Sequence, residues 1–477
     1  IQNLDLGPDD FGGPDLEGCN ENLVLTRPDV IQGVHERFLA AGADILETDT
    51  FGSTPLVLAE YGLQGQTHAI NVAAARIARA AAAKFSTPDQ PRFVAGSMGP
   101  TTKTISVTGG VTWDDLAEHY RQQALGLIEG GADLLLLETT QDTLNLKAGL
   151  VGIDRAQAEL RTALPIAVSC SIEVMGTLLA GQDVESFYVS LAHRDLLWIG
   201  LNCATGPDFM TDHLRTLAAL SRFPVACVPN AGLPDEDGRY NETPPMVAEK
   251  IGRFVEAGWV NLVGGCCGTV PEHITLLAEG VRGKRPRALS GLRRSAVSGI
   301  ETLVIDDDTR PVIVGERTNV LGSRKFKELI AKGLIEEASE VGRAQVRRGA
   351  QVIDVCLQDP DRPEIEDMTQ FLEMVAKKVK VPIMLDSTDH RVLEESLKRT
   401  QGKSIINSIN LEDGEGHFQK VVPLARTFGA ALVVGCIDED KAQAQAITRA
   451  RKLAIAERSH DILTKRYGVE PEDITFD

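Results

Sequence analysis

Short apolar runs alternate with longer amphipathic stretches along the whole chain. In its first part, runs rich in leucine and β-branched residues fall at 43–51, 92–99, 132–140, 164–172, 196–204, 224–232 and 259–268. Between them apolar positions recur every three or four residues. In 114–129, for example, Leu116, Ala117, Tyr120, Ala124, Leu127 and Ile128 make one helical face. The strand runs are apolar almost continuously, which predicts a parallel sheet covered by helices on both faces. Gly42-Ala-Asp44 and Gly131-Ala-Asp133 precede two of the runs, and Gly258 holds the same place before a third. Each closes a helix on glycine and enters a strand, as one βα unit reused would. Seven strands, with one missing at the start, predict a (β/α)8 barrel.

Residues 282–294 break the pattern. Arg282, Lys284, Arg285, Arg287, Arg293 and Arg294 stand among prolines, glycines and serines without a helical stripe, which predicts a solvated linker or, as the alternative, a basic strip docking an acidic partner domain. A second βα series follows, with strands at 312–319, 351–359, 382–388, 404–411 and 431–439, a helix over 441–467 and a sixth strand opening at 474–477. A barrel with five or six of eight strands leaves edges unpaired, so the chain reads as incomplete at both ends. The expected organisation is a first barrel over 1–280 lacking its opening strand, a linker over 281–310, and a second, truncated barrel over 311–477. Both are α/β TIM barrels in tandem.

Composition narrows the partners. The 477 residues are 43% hydrophobic and 25% charged, an ordinary globular balance that excludes disordered and fibrous chains. A net charge of −19 repels phosphate backbones, so no nucleic-acid partner is expected. The longest apolar runs, such as 132–137, are strand-sized, and 1–15 is polar and rich in glycine and proline. The expectation is a cytoplasmic protein without membrane association. Eight cysteines are too sparse for a disulfide scaffold and point to metal or catalysis where they cluster.

They cluster at strand ends. Barrel chemistry sits where strands finish. Cys203 ends one strand in Gly200-Leu-Asn-Cys203, and Cys266 and Cys267 end the last in Gly264-Gly-Cys-Cys-Gly268. Barrel closure brings these ends to one rim, where three thiolates favour Zn²⁺ and leave one position open, as catalytic zinc sites do. Neighbouring cysteines cannot both face inward from a regular strand, so the glycines are expected to supply irregular backbone. Zinc on three thiolates keeps an incoming thiol deprotonated yet nucleophilic, which implies alkyl transfer to sulfur. Cys19, Cys170, Cys227, Cys356 and Cys436 stand apart and read as buried apolar residues.

Further motifs carry a resemblance. Glu47-Thr-Asp-Thr-Phe-Gly52, Gly96-Ser-Met-Gly-Pro-Thr101, Glu138-Thr-Thr140, Pro229-Asn-Ala-Gly232 and the two cysteine segments resemble the homocysteine S-methyltransferase domain. Gly315-Glu-Arg-Thr-Asn319, Gly322-Ser-Arg-Lys-Phe326, Ile353-Asp-Val355, Leu385-Asp-Ser387 and Ile406-Asn-Ser-Ile409 resemble the pterin-binding domain. In this order the two resemble the N-terminal half of the cobalamin-dependent methionine synthase family. The resemblance implies methyl transfer from 5-methyltetrahydrofolate, through cobalamin, to zinc-bound homocysteine, giving methionine and tetrahydrofolate.

It also implies residue roles. Cys203, Cys266 and Cys267 correspond to the zinc ligands. Asn230 is either a stand-in ligand without substrate or a turn residue. Glu47, Asp49, Ser97 and Glu138 hold the homocysteine amino group or simply cap helices at the rim. Glu316, Asp386 and Asn407 face the pterin ring, whose donors and acceptors suit carboxylate and amide partners. Gly322, Ser323 and Arg324 lie near the folate. Asp413 is a folate contact or a turn residue, and Asp477 corresponds to a further folate-binding aspartate. Folate N5 is a poor leaving group unless protonated, so an acid or proton-relay water is expected near Asn407.

The sequence departs from the family pattern in four places. Only Ile1-Gln2 of the opening glycine-rich strand remains, and Cys356 stands where many relatives carry asparagine. A late asparagine of the pterin barrel has no counterpart before Asp477. No Asp-x-His-x-x-Gly cobalamin signature occurs, so cobalamin-binding and reactivation domains are expected outside this sequence. The rival readings are a zinc homocysteine methyltransferase using betaine or S-methylmethionine, a dihydropteroate synthase-like enzyme with an idle first barrel, and a non-catalytic zinc-thiolate redox sensor.

Overall fold

The computed structural model describes residues 1, 4–443 and 445–477. Gln2, read above as part of a residual strand, lies outside them. The chain forms two compact units, Ile1–Ala180 with Asp195–Leu292 and Gly181–Arg194 with Arg293–Asp477.

The first sheet holds seven parallel strands paired in chain order: β1 (Ile45–Glu47), β2 (Phe93–Met98), β3 (Leu134–Thr140), β4 (Ile166–Cys170), β5 (Ile199–Asn202), β6 (Val225–Val228) and β7 (Leu262–Val263). An antiparallel hairpin follows, β8 (Ala296–Ser298) with β9 (Thr302–Val304). The second parallel sheet runs β10 (Val314–Asn319), β11 (Val352–Cys356), β12 (Ile383–Asp386), β13 (Ile405–Ile409), β14 (Ala431–Val434) and β15 (Ile474–Phe476), again in chain order. Strictly sequential parallel pairing with intervening helices makes this an α/β fold of two TIM-barrel-like domains, as the periodicities predict.

Local chemistry sets the helix ends. Thr112 caps Trp113–Gly130 by accepting from the Asp115 N–H, Asp115 answers to the Thr112 N–H, and Gly131 ends the helix at φ +97°. Proline opens Pro28–Ala40, Pro207–Leu220, Pro244–Glu256 and Pro271–Val281 at the position whose N–H has no helical partner.

Several strands are shorter than their apolar runs. The run 43–51 contributes only Ile45–Glu47, because beyond it side chains take over from the ladder. Thr48 Oγ1 lies 2.6 Å from Thr50 Oγ1 and accepts the Ser97 N–H at 3.0 Å. Strand β1 therefore delivers the residues that follow it into a polar rim.

The first sheet's interior is filled by Ala95, Leu134, Leu136, Ala167, Trp198 and Ala226. In the second unit Val297 and Leu303 of the hairpin pack with Val314, Val352, Ile405 and Ala431, which lie at strand starts. The hairpin thus closes the end of the second sheet opposite its rim.

These observations correct three expectations. The stretch 281–310 is not uniformly linker, since it contains that hairpin. Arg287 is not solvated: it is 5% exposed, donates to the Ala218 carbonyl at 2.8 Å and the Phe223 carbonyl at 3.1 Å, and also bonds the Ser221 carbonyl. A charge run reads as solvated because composition says nothing about carbonyls left free at helix and strand ends. The helix expected over 441–467 starts only at Arg449, capped by the Thr448 hydroxyl, and ends in a π turn at Ile462–Arg466. Among the described residues no helix is long and apolar enough to cross a membrane.

Candidate functional site

The chain leaves β5 at Cys203 by an unusual turn. Cys203 and Ala204 have φ of +59° and +55°. Two successive non-glycine residues in the left-handed region cost about 1–2 kcal/mol each, a strain that surrounding contacts must hold. The Cys203 N–H donates to Val228 O at 3.2 Å. After β7, Cys266 and Cys267 lie wholly beyond the strand, so side-chain alternation does not restrict them. The Cys266 N–H donates to Pro229 O, Ala231 N–H donates to Cys267 O, and Asn230 Oδ1 accepts the Cys267 N–H at 3.1 Å. The segment after β6 thus zips onto the cysteine pair. Gly268, at φ +78°, has the Tyr240 ring so close that an added Cβ would sit 2.3 Å from Tyr240 Cβ.

The three sulfurs converge. Cys203 Sγ lies 3.8 Å and Cys266 Sγ 3.9 Å from Cys267 Sγ, and all three lie within 4.8 Å of one another. Tetrahedral zinc with Zn–S of about 2.3 Å requires sulfurs about 3.8 Å apart, so the donor set fits that ion. The thiols also share protons. Hydrogen bonds from Cys203 and then Cys266 lower the pKa of Cys267, while its bonds to Cys203 and Cys267 raise that of Cys266. The Tyr240 hydroxyl hydrogen-bonds Cys267 as well.

A cavity of about 790 Å³ opens beside the sulfurs and is lined by Cys266, Glu47, Asp49, Glu138, Ser169 and Asn202 among others. Ser97 Oγ donates to Glu138 Oε1 at 2.5 Å, and Asn202 Nδ2 reaches Glu138 Oε2 at 3.3 Å. Asn202 also bonds the Thr139 hydroxyl at 2.7 Å, and its Oδ1 accepts the Thr139 N–H at 2.9 Å and the Ser169 hydroxyl at 2.6 Å. Glu47 is open to the cavity yet enclosed by protein, and the charge of Glu138, followed by burial, raises its pKa well above the carboxylate range. Burial raises Glu138, against the Ser97 bond that lowers it. Asp49 is raised by burial and then by Glu21, and its Oδ2 has no hydrogen-bond partner among the described residues.

A second polar cluster sits at the rim of β10–β13. Asn319 Nδ2 lies 3.2 Å from Asp354 Oδ2 and 3.4 Å from Asp386 Oδ2, and Asn407 Nδ2 lies 3.4 Å from Asp354 Oδ1. Burial and then the charge of Asp354 push Asp386 up to about 6. Burial also raises Asp354. Cys356 is 1% exposed and bonds Asp386.

The structure therefore brings Cys203, Cys266 and Cys267 together, gathers Glu47, Asp49, Ser97 and Glu138 around one cavity and its rim, and sets Asp386 with Asn407. Asn230, 2% exposed, holds the cysteine backbone through Oδ1. Glu316 is exposed beside the second cluster. Ser323 is committed as a helix cap to the Phe326 N–H, exposed Arg324 pairs with Glu328, and Gly322 is exposed. Asp413 accepts from the His417 N–H, and exposed Asp477 extends β15 through its backbone bond to Val434. Asn202, Asn319 and Asp354 lie in motifs quoted above but were given no role there, and Tyr240 was not named. Asp354 had a signal, a charge inside the apolar run Val352-Ile-Asp-Val355; Tyr240, on a polar loop, had none.

Comparisons with known proteins add to this geometry. The sequence model of homocysteine S-methyltransferases matches residues 2–281, and that of pterin binding enzymes matches 315–477. Among solved structures, the homocysteine methyltransferase MmuM from Escherichia coli, oxidized form, is 21% identical, with 58% of this chain and 90% of that chain covered and a TM-score of 0.47. A B12-independent methionine synthase from a Shewanella species, in complex with selenomethionine, is 15% identical, with 55% of this chain and 89% of that chain covered and a TM-score of 0.33. With the first match spanning more than half of its residues, the chain belongs to the homocysteine S-methyltransferase family and carries a pterin-binding domain after it.

Proposed function

We propose that this chain methylates homocysteine with the methyl group of 5-methyltetrahydrofolate, yielding methionine and tetrahydrofolate. The first domain holds the acceptor and the second the donor. Cobalamin, bound elsewhere, would relay the methyl group between them, and no residue of this chain is assigned to it. The observation that carries the reading is the sulfur triangle, whose 3.8 and 3.9 Å edges suit tetrahedral zinc.

Cys203, Cys266 and Cys267 would hold that zinc, which when bound would keep the homocysteine thiol deprotonated yet nucleophilic. Glu138 is presented to the same cavity by Ser97 and Asn202, and its carboxylate is where we place the substrate ammonium, with Glu47 lining the same cavity. In the second domain Asp386, Asp354, Asn319 and Asn407 offer carboxylate acceptors and amide donors to the pterin edge. Asn407 donates to Asp354, whose pKa burial raises, and this pair is where we place delivery of the proton to N5.

Zinc analysis is the direct test. Wild-type protein is expected to hold stoichiometric zinc and the Cys266→Ala variant almost none; full zinc in the variant overturns the ligand assignment. Two assays then separate the halves. Methionine formation from added methylcobalamin and homocysteine should require Cys203, whereas demethylation of methyltetrahydrofolate by added reduced cobalamin should require Asp386. Methylation by betaine without cobalamin would replace this reading.

A further inference from the structure

Tyr240 stands at the root of the exposed loop after β6, and both of its sides are fixed. An antiparallel bridge joins it to Pro234. Asp235 Oδ1 accepts the N–H groups of Asp237 at 3.0 Å and Arg239 at 2.8 Å, and Oδ2 accepts from Asn241 Nδ2 at 2.9 Å. Beyond it Glu242 N–H donates to Ala231 O at 3.0 Å, and Lys250 Nζ holds the Glu242 carboxylate at 2.7 Å. The ring is pressed onto Gly268, where an added Cβ would meet Tyr240 Cβ, Cγ and Cδ2 at 2.3, 2.4 and 2.8 Å. Only glycine permits that approach, and it brings the phenol to the cysteine pair. Tyr240 hydrogen-bonds the Cys267 sulfur from outside the cysteine cluster.

We propose that Tyr240 is a positioning residue of the thiolate site, its hydroxyl donating to the Cys267 sulfur and drawing negative charge from it. Three thiolates donate so much charge to a divalent ion that a fourth sulfur is accepted weakly. A hydrogen bond to one of them offsets this, so the ion keeps its affinity for an incoming thiolate. The inference rests on the zinc reading above and assigns it a tuning group.

Cobalt(II)-substituted protein reports on sulfur charge directly, through the sulfur-to-cobalt charge-transfer absorption. Tyr240→Phe removes the hydroxyl and leaves the ring on Gly268. We expect the variant to take up cobalt stoichiometrically, its charge-transfer band to move to longer wavelength, and the Kd for homocysteine, read from the same spectrum, to rise about 10-fold. Gly268→Ala, which drives the ring off the sulfur with its hydroxyl intact, should move the band the same way. Superimposable bands in wild type and Tyr240→Phe overturn the inference and leave the metal site standing. Failure of the wild-type protein to bind cobalt overturns the metal reading and the inference with it.

Discussion

Replacing Asp386 by asparagine keeps the shape of the side chain and removes its charge. In the structure this carboxylate ends β12, 3.4 Å from Asn319 Nδ2, with its pKa lifted to about 6 by burial and then by Asp354. Above that value it is ionised and accepts the pterin N–H donors. A hydrogen bond to a charged partner contributes about 1.5–3 kcal/mol, which is a factor of about 13 to 160 in affinity. Asp386→Asn should therefore raise the Kd for 5-methyltetrahydrofolate by about that factor. The pH dependence has a definite sign. Wild-type affinity is level above about pH 7 and falls about tenfold per unit below about pH 6 as the carboxylate protonates; the variant is level throughout. For folding the sign is opposite. A carboxyl whose folded pKa is raised contributes stability below the ordinary carboxylate range, and that contribution is lost as pH rises through about 6. Calorimetric titration with the folate from about pH 5 to about pH 8 measures affinity and slope together. A change in Kd under about twofold, or the same pH profile in both proteins, refutes the assignment.

Two stability tests address the scaffold of the sites. Asn202→Ala strips partners from the Thr139 N–H, the Ser169 hydroxyl and Glu138, and should cost about 3 kcal/mol in denaturant unfolding. A loss under about 0.5 kcal/mol would show that the network does not organise the rim. Arg287→Met leaves the Ala218, Phe223 and Ser221 carbonyls without their donor and should cost about 3 kcal/mol by the same measurement. A solvated linker arginine would change stability by less than about 0.5 kcal/mol.

The sequence by itself determined the α/β architecture, because apolar periodicity is local: continuous runs make buried parallel strands, and three-and-four spacing makes the helices over them. It also determined that Cys203, Cys266 and Cys267 share a rim, since parallel strands put their ends on one side and the cysteines follow β5 and β7. Asp386 and Asn407 were legible through the resemblance of their segments to the pterin-binding domain. Tertiary structure decided which polar groups meet. Asn202 joins Glu138 and Ser169 from separate strands, a meeting that no local spacing encodes. Asp354 turns into the second cluster, and Asn319 reaches both of its carboxylates. Arg287 is buried because carbonyls distant in sequence needed a donor, and Tyr240 reaches Cys267 only because Gly268 lets its ring approach. Strand order follows from patterns a few residues long, whereas hydrogen-bond partners follow from surfaces that exist only once the sheets have formed.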